Sequence, residues 1–170
     1  MPDVSTEVAI ATTTLSSAAA NITFSGISSA YTDLRLVLVA RSNNTGTARE
    51  DLYIRFNSDT GTNYSTTILY GQDGSAGSLR LTTQSRINAY TGLPGTSGQF
   101  SLTMVDIFSY AGSTFKTCLV SVNNDQNTVG GEVNSQVGLY RSTSAITSIT
   151  VLPQTNSFDT GTTATLYGIL

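Results

Sequence analysis

Residues 34–41 read Leu-Arg-Leu-Val-Leu-Val-Ala-Arg, and this stretch decides the fold class. Leu34, Leu36, Leu38 and Ala40 alternate with the residues between them, which is the two-residue period of a β-strand rather than that of a helix. Valines occupy the middle of the second face and arginines stand at its two ends. The pattern therefore predicts an inner strand with polar ends.

The same alternation recurs outward from this stretch in both directions. It is found at residues 8–12, 22–24, 52–56, 64–70, 100–108, 115–122, 133–139, 146–152 and 163–170, and more briefly at 79–83 and 87–90. Turn residues separate these segments, a loop is expected at 92–98, and only 16–21 favours a single helical turn. About ten short strands at this spacing predict an all-β fold, an antiparallel β-sandwich of jelly-roll type.

The 170-residue chain shows no compositional break that would divide it into two domains. We expect a single sandwich domain over residues 21–170. Residues 1–20 are rich in Thr, Ser and Ala and predict either an extended N-terminal arm or a first edge strand. An arm of this kind would lie across a neighbouring protein and add a strand to it.

Charged residues are scarce at 11%, whereas the chain has 22 Ser and 28 Thr. The net charge is −3, and seven arginines with one lysine form no basic stripe, so nucleic acid is not expected as a partner. The chain begins Met1-Pro2-Asp3, and no apolar stretch approaches the ~20 residues that span a bilayer. We therefore expect synthesis in a cytoplasm, no signal peptide and no membrane association.

The chain contains no histidine and one cysteine, which removes most of the usual catalytic and metal-binding arrangements. We expect no cofactor, no metal and no enzymatic activity. Most acids fall at turns, but Asp106 lies within a strand pattern among apolar residues. As a buried carboxylate it needs a partner, for which Arg35 or Arg55 is the candidate. A glycoside hydrolase based on Asp106 is the remaining catalytic reading.

Three further features are candidates for binding or reactivity. Residues 57–63 carry alternating side-chain oxygens that indicate either a plain turn or a Ca²⁺ loop, although Asp59 is their only acid. Tyr31, Tyr90 and Tyr110 stand near strand edges, where they would either bind sugars or pack at the rim of the core. Cys118 lies in an apolar run and predicts a buried, unreactive thiol.

Three longer stretches are similar to a pattern found in structural proteins of bacteriophage particles. They are residues 22–27 with 31–36, residues 51–57 continuing to 65, and residues 145–150 with the ending Leu-Tyr-Gly-Ile at 166–169. The chain thus resembles the β-sandwich module of phage and prophage virion proteins, which serves on heads and on tails. The resemblance concerns turns and core positions, so it identifies no interface residues.

The resemblance implies a structural role in the virion. We expect a capsid decoration, or cement, protein that binds the phage major capsid protein and stabilises the head shell as a homotrimer. A trimer would match a threefold lattice position and gain strength from several weak contacts at once. The alternative is a tail-fibre or spike module that binds host surface glycans.

Overall fold

A computed structural model describes residues 6–95, 98–127 and 130–170 of the chain. The prediction of an all-β antiparallel fold is confirmed, because 61% of the chain is strand and the described residues contain no α-helix. Twelve strands are present in these residues, one at each of the alternating segments of the sequence, whereas about ten were predicted. The part of the chain that the structure describes also has no helix capable of crossing a membrane.

The strands have these bounds: β1 Glu7–Thr14, β2 Ile22–Ser25, β3 Asp33–Ala40, β4 Arg49–Phe56, β5 Tyr64–Gln72, β6 Ser75–Gln84, β7 Ile87–Pro94, β8 Ser101–Phe108, β9 Lys116–Asp125, β10 Gly131–Tyr140, β11 Ser148–Pro153 and β12 Thr163–Ile169. An eight-stranded sheet has the order β1-β12-β3-β8-β9-β10-β5-β6, and a four-stranded sheet has the order β2-β11-β4-β7. The two sheets enclose one cluster of buried apolar side chains, so the arrangement is sandwich-like.

The core confirms the face assignment made from the opening stretch. Leu34, Leu36, Leu38 and Ala40 are all buried, and β3 lies inside the large sheet between β12 and β8. β12 in turn pairs with both β1 and β3, so the last strand of the chain closes the core as expected. Non-local pairing of this kind brings the two ends of the chain together.

The N-terminal segment forms an edge strand rather than a free arm. Glu7–Thr14 is β1, which pairs antiparallel with β12, so of the two predicted alternatives these residues form the first edge strand and not the extended arm. Two threonine pairs also join the strands, because the hydroxyl oxygens of Thr12 and Thr165 lie 3.0 Å apart and those of Thr14 and Thr163 lie 3.1 Å apart. The earlier part of the predicted arm, residues 1–5, lies outside the described residues.

Two other local predictions are corrected by tertiary pairing. The helical turn expected at residues 16–21 is absent, since Ala19 forms an isolated bridge with Phe158 through hydrogen bonds in both directions. β7 continues to Pro94, through part of the loop expected at residues 92–98. The extra residues are held by β4, which pairs Arg49 with Pro94 after a β-bulge. Residues 96–97 of that loop are not among the described residues.

Candidate functional site

β10 has the reverse of the usual polarity of a sandwich strand. Its outward positions carry Val133 and Val137, which are 65% and 47% exposed. Its inward positions carry Glu132, Asn134 and Gln136, all of which are buried. A strand that faces water on one side normally places its polar residues there. This inversion creates both an apolar outer surface and a polar region inside the sandwich.

The outer face of the eight-stranded sheet, called here the outer face, is broad and sparsely charged at its centre. Two rows of cross-strand neighbours contain no charged residue: Thr163, Val39, Leu102, Asn123 and Val133, and beside them Thr165, Val37, Met104, Ser121, Ser135 and Leu69. Leu69 is 63% exposed, and Leu102, Leu119 and Val39 are also exposed. Exposed apolar side chains gathered on one face are typical of an interaction surface.

The ion pair on the outer face includes the acid singled out in the sequence. Asp106 accepts a hydrogen bond from Arg35 Nε at 2.6 Å, so the predicted partner is Arg35. Arg55 instead donates to the carbonyl of Ser85. The expectation that Asp106 is buried is wrong, because its side chain is 29% exposed. Glu7 lies 3.5 Å from the same guanidinium, and the hydrogen bond that Arg35 donates to Asp106 raises the pKa of Arg35.

We expect Asp106→Asn to lower the free energy of unfolding by less than about 1 kcal/mol, because solvent screens a half-exposed ion pair. Urea denaturation of the variant beside the unmodified protein measures this. A loss of several kcal/mol would mean that the pair is shielded from water, contrary to its exposure here.

The inward polar residues of β10 form hydrogen bonds with the backbone at the edge of the small sheet. β7 is an edge strand, and its free backbone groups face the interior rather than water. With its side-chain amide in the orientation that satisfies both of its polar atoms, Gln136 donates to Asn88 O at 2.6 Å and accepts from Tyr90 N at 3.2 Å. Asn134 Nδ2 donates to Tyr90 O at 2.7 Å, and Thr66 Oγ1 accepts from Asn88 N at 3.2 Å. These side chains satisfy backbone groups that would otherwise be buried without partners.

A second set of inward polar atoms forms no hydrogen bond with the backbone of β7 or with any other group of the described residues. We call the region that they share the polar chamber, defined by Thr91, Asn124, Glu132 and Asn134. Both carboxylate oxygens of Glu132, both amide atoms of Asn124, Asn134 Oδ1 and Thr91 Oγ1 are buried without a hydrogen-bond partner. Each such group is costly to bury.

Glu132 is the most unusual member of the chamber. It is 2% exposed, and burial raises the pKa of its carboxyl group. The side chains of Thr91 and Asn134 approach it closely enough to favour the charged form, although neither has hydrogen-bond geometry. Among the described residues no group of three or more His, Cys, Asp or Glu could hold a metal. Any ligand of the chamber would therefore contact one carboxylate and several neutral oxygens.

An open cleft of about 580 Å³ lies beside the chamber, between the β5–β6 turn and the adjoining ends of β9 and β10. Asn124 and Glu132 are among its lining residues, together with Asp73 and Asp125. Arg49 binds Asp73 through both guanidinium nitrogens, at 2.7 and 3.2 Å, and also donates to the carbonyl of Gly131 at 3.4 Å. Asp73 and Asp125 thus place two acidic residues in the cleft next to the chamber.

Side-chain oxygens of the loop at residues 57–63 accept hydrogen bonds from the loop itself and from the neighbouring backbone. Asp59 Oδ1 accepts from Gly61 N at 2.7 Å, and Oδ2 accepts from Asn63 Nδ2 at 2.8 Å. The bond from Asn63 lowers the pKa of Asp59. Asn57 Oδ1 accepts from the backbone of Thr147 at 2.8 Å. Of the two interpretations of this loop, the structure favours the plain turn.

The three tyrosines proposed for sugar binding are engaged within the fold. Tyr110 is 0% exposed and its hydroxyl donates to the carbonyl of Ser28, so of the two alternatives it packs in the core. Tyr31 covers Gly168, where a β-carbon would collide with the ring. Tyr90 packs against Tyr70 with ring centroids 5.5 Å apart. The expected buried state of Cys118 is confirmed, and burial raises its pKa to about 12.

Sequence reasoning did not find the polar chamber. Glu132, Asn134 and Gln136 alternate with Val133 and Val137, and this pattern was available in the sequence. Alternation identifies two faces but does not say which of them is inside. The buried edge of β7, which requires polar partners, becomes visible only once the sheets are assembled.

Comparison with known proteins adds no relative: the chain matches no protein-family model and no curated protein.

Proposed function

We propose that this protein is a structural component of a bacteriophage virion, a capsid decoration protein that binds the major capsid protein on the outside of the head. In this proposal it has no catalytic activity. The observation that carries the proposal is the outer face, which is broad, apolar and rich in hydroxyl groups. Such a surface suits contact with another protein better than binding of a small molecule in a pocket.

The size of the outer face supports a stable contact. Strands lie about 4.8 Å apart and rise about 3.3 Å per residue, so the eight-stranded sheet presents a face of roughly 35 Å by 25 Å. That is close to the ~800 Å² that each partner buries in a standard protein interface. We assign this face to the capsid protein, since a flat shell offers a surface of matching extent.

A homotrimer is the second part of the proposal. Three copies around a threefold position of the shell would each contribute one outer face, and simultaneous binding would multiply weak contacts. Gel filtration with light scattering measures the oligomeric state. A monomer at all concentrations would remove the trimer from the proposal while leaving the capsid contact to be tested separately.

We also propose that the sandwich is a jelly roll enlarged by four strands, which are β1, β12 and two strands of the meander β8-β9-β10. An eight-stranded jelly roll arranges its strands, numbered along the chain, in the orders 1-8-3-6 and 2-7-4-5. The small sheet here, β2-β11-β4-β7, has the first order if β2 is strand 1 and β11 is strand 8. In the large sheet, the neighbouring strands β3-β8-β9-β10-β5-β6 have the second order. The meander β8-β9-β10 stands in place of strand 7.

We expect Val137→Asp to weaken binding to undecorated capsids at least tenfold, because it places a charge in the apolar outer face. Sedimentation of purified protein with capsids measures the binding. Thr23→Asp is the matched control, since Thr23 is a β-branched residue exposed on β2 of the other sheet. Two outcomes would contradict the proposal. One is equal binding by both variants; the other is that the unmodified protein neither binds the capsids nor increases their heat resistance.

The alternative is a tail module that binds host glycans. The same purified protein, mixed with host polysaccharide, distinguishes it from a capsid decoration protein. Binding of host polysaccharide without binding of capsids would favour it.

A further inference from the structure

The polar chamber has more oxygen acceptors than donors. Glu132 contributes two unpartnered oxygens, and Asn134 Oδ1, Asn124 Oδ1 and Thr91 Oγ1 contribute three more. The donors nearby are the Thr91 hydroxyl, the Asn124 amide, which also lacks a partner, and the second hydrogen of Asn134 Nδ2. An excess of oxygens over donors is an arrangement that a bound cation satisfies, because hard cations prefer carboxylate and neutral amide or hydroxyl oxygens.

The backbone register places these side chains together. Glu132 of β10 stands directly opposite Asn124 of β9, so their β-carbons are about 5 Å apart. Asn134 is two residues further along the same inward face. Thr91 approaches from β7, and its side chain acts on the Glu132 carboxylate. Three strands from both sheets therefore contribute to the chamber.

Charge in the region also favours a cation. Arg49 is the nearby positive group, but it is paired with Asp73. Asp51 accepts hydrogen bonds from Thr91 N at 2.8 Å and from Asn88 Nδ2 at 2.9 Å, so it adds a second negative charge that is already held in place. None of the four ion pairs found among the described residues includes Glu132. Its carboxylate has no direct counter-ion.

We propose that the polar chamber is a binding site for a hard divalent cation of the Ca²⁺ class, held by the Glu132 carboxylate with the side-chain oxygens of Asn134, Asn124 and Thr91. The neighbouring cleft is the route of entry, and Asp125 at its rim attracts the ion. A site with one carboxylate binds weakly, with a dissociation constant on the order of 10⁻⁴ to 10⁻³ M. The bound ion would tie β7 of the small sheet to β9 and β10 of the large sheet.

Thermal unfolding of the full chain in CaCl₂ or in chelator tests the site. At 10 mM Ca²⁺ we expect the unfolding temperature to rise by roughly 5 °C, the shift that an ion at ten or more times its dissociation constant gives a chain of this length. Glu132→Gln should lose this rise. Asp125→Asn should keep most of it, because it removes a charge of the cleft rim without touching the chamber.

Terbium luminescence provides an independent readout that requires no variant. The chain has no tryptophan, so emission from Tb³⁺ on excitation of tyrosine reports an ion close to a tyrosine such as Tyr90, whose carbonyl accepts from Asn134. We expect saturable emission that Ca²⁺ displaces. If Glu132→Gln does not fold, Thr91→Val is the variant to use in its place. It keeps the shape of the side chain, removes one ligand oxygen and should weaken binding of the ion.

Two results would overturn the proposal. One is an unfolding temperature of the unmodified protein that Ca²⁺ leaves unchanged, which would mean that a proton or water satisfies Glu132. The other is an equal Ca²⁺ response in the unmodified protein, Glu132→Gln and Thr91→Val, which would place the ion elsewhere.

Discussion

Tyr64→Ala is expected to lower the free energy of unfolding by about 4 kcal/mol, the usual cost of removing a large aromatic ring from a core. Tyr64 is fully buried, and its ring stacks on Tyr140 with centroids 4.7 Å apart. Phe56 packs against both rings, at 6.2 Å from Tyr64 and 5.5 Å from Tyr140. The substitution would leave a cavity between β4, β5 and β10, and urea denaturation at fixed protein concentration measures the loss.

Tyr64→Phe separates the ring from the hydroxyl group. The hydroxyl accepts from Phe56 N at 3.1 Å and lies 3.2 Å from the carbonyls of Phe56 and Asp59, to which it donates. Its removal should cost about 1–2 kcal/mol, because it leaves buried backbone groups without a partner. A Tyr64→Ala variant no less stable than Tyr64→Phe would show that the ring contributes little to the core.

Gly138→Ala is expected to cost about 2 kcal/mol although it adds only one methyl group. A β-carbon at Gly138 would lie 2.6 Å from Cys118 Sγ and 2.8 Å from Ile87 Cδ1. Both neighbours are buried, so they have little space into which to move. The gain from reducing the freedom of the unfolded chain, at most about 1 kcal/mol, is smaller than this cost.

Two controls make the Gly138 experiment specific. Gly71→Ala should be nearly neutral, because the nearest atom to its added β-carbon is the Val133 carbonyl oxygen at 3.9 Å. Cys118→Ala removes the atom that the new methyl group meets. The double variant Gly138→Ala with Cys118→Ala should therefore be more stable, by about 1 kcal/mol, than the sum of the single effects predicts. Strict additivity would mean that the two positions do not contact each other.

The sequence is a good guide to the strands whose apolar face is the inner one. β3 shows this most clearly, because Leu34 to Ala40 alternate and all the predicted inward residues are buried. The same reasoning identified Arg35 as a partner of Asp106, since a strand carboxylate needs a nearby cation. It misjudged the exposure of Asp106 because the outward face of β8 is also apolar, with Leu102 and Phe108 exposed.

The candidate site could not be predicted because its cause is non-local. Asn134 and Gln136 are buried in order to bond the backbone of β7, which is more than 40 residues earlier in the chain. Whether an edge strand is covered depends on how the sheets overlap, and local alternation carries no information about this. The length of β7 was underestimated for a similar reason, because its last residues pair with β4, a strand that is distant in the sequence.

The inverted polarity of β10 has a consequence for how the chain reaches its native state. If β10 were displaced by one residue against β9 and β5, Val133 and Val137 would turn inward and Glu132 would reach water. Burial of apolar surface alone favours that misaligned state, so correct alignment depends on the bonds of Asn134 and Gln136 to β7, on the stacking of Tyr140 on Tyr64 and on the fit of Gly138 against Cys118. Refolding should accordingly include a slow phase in which misaligned strands separate and pair again in the native register. Variants at Gly138 should increase the amplitude of this phase.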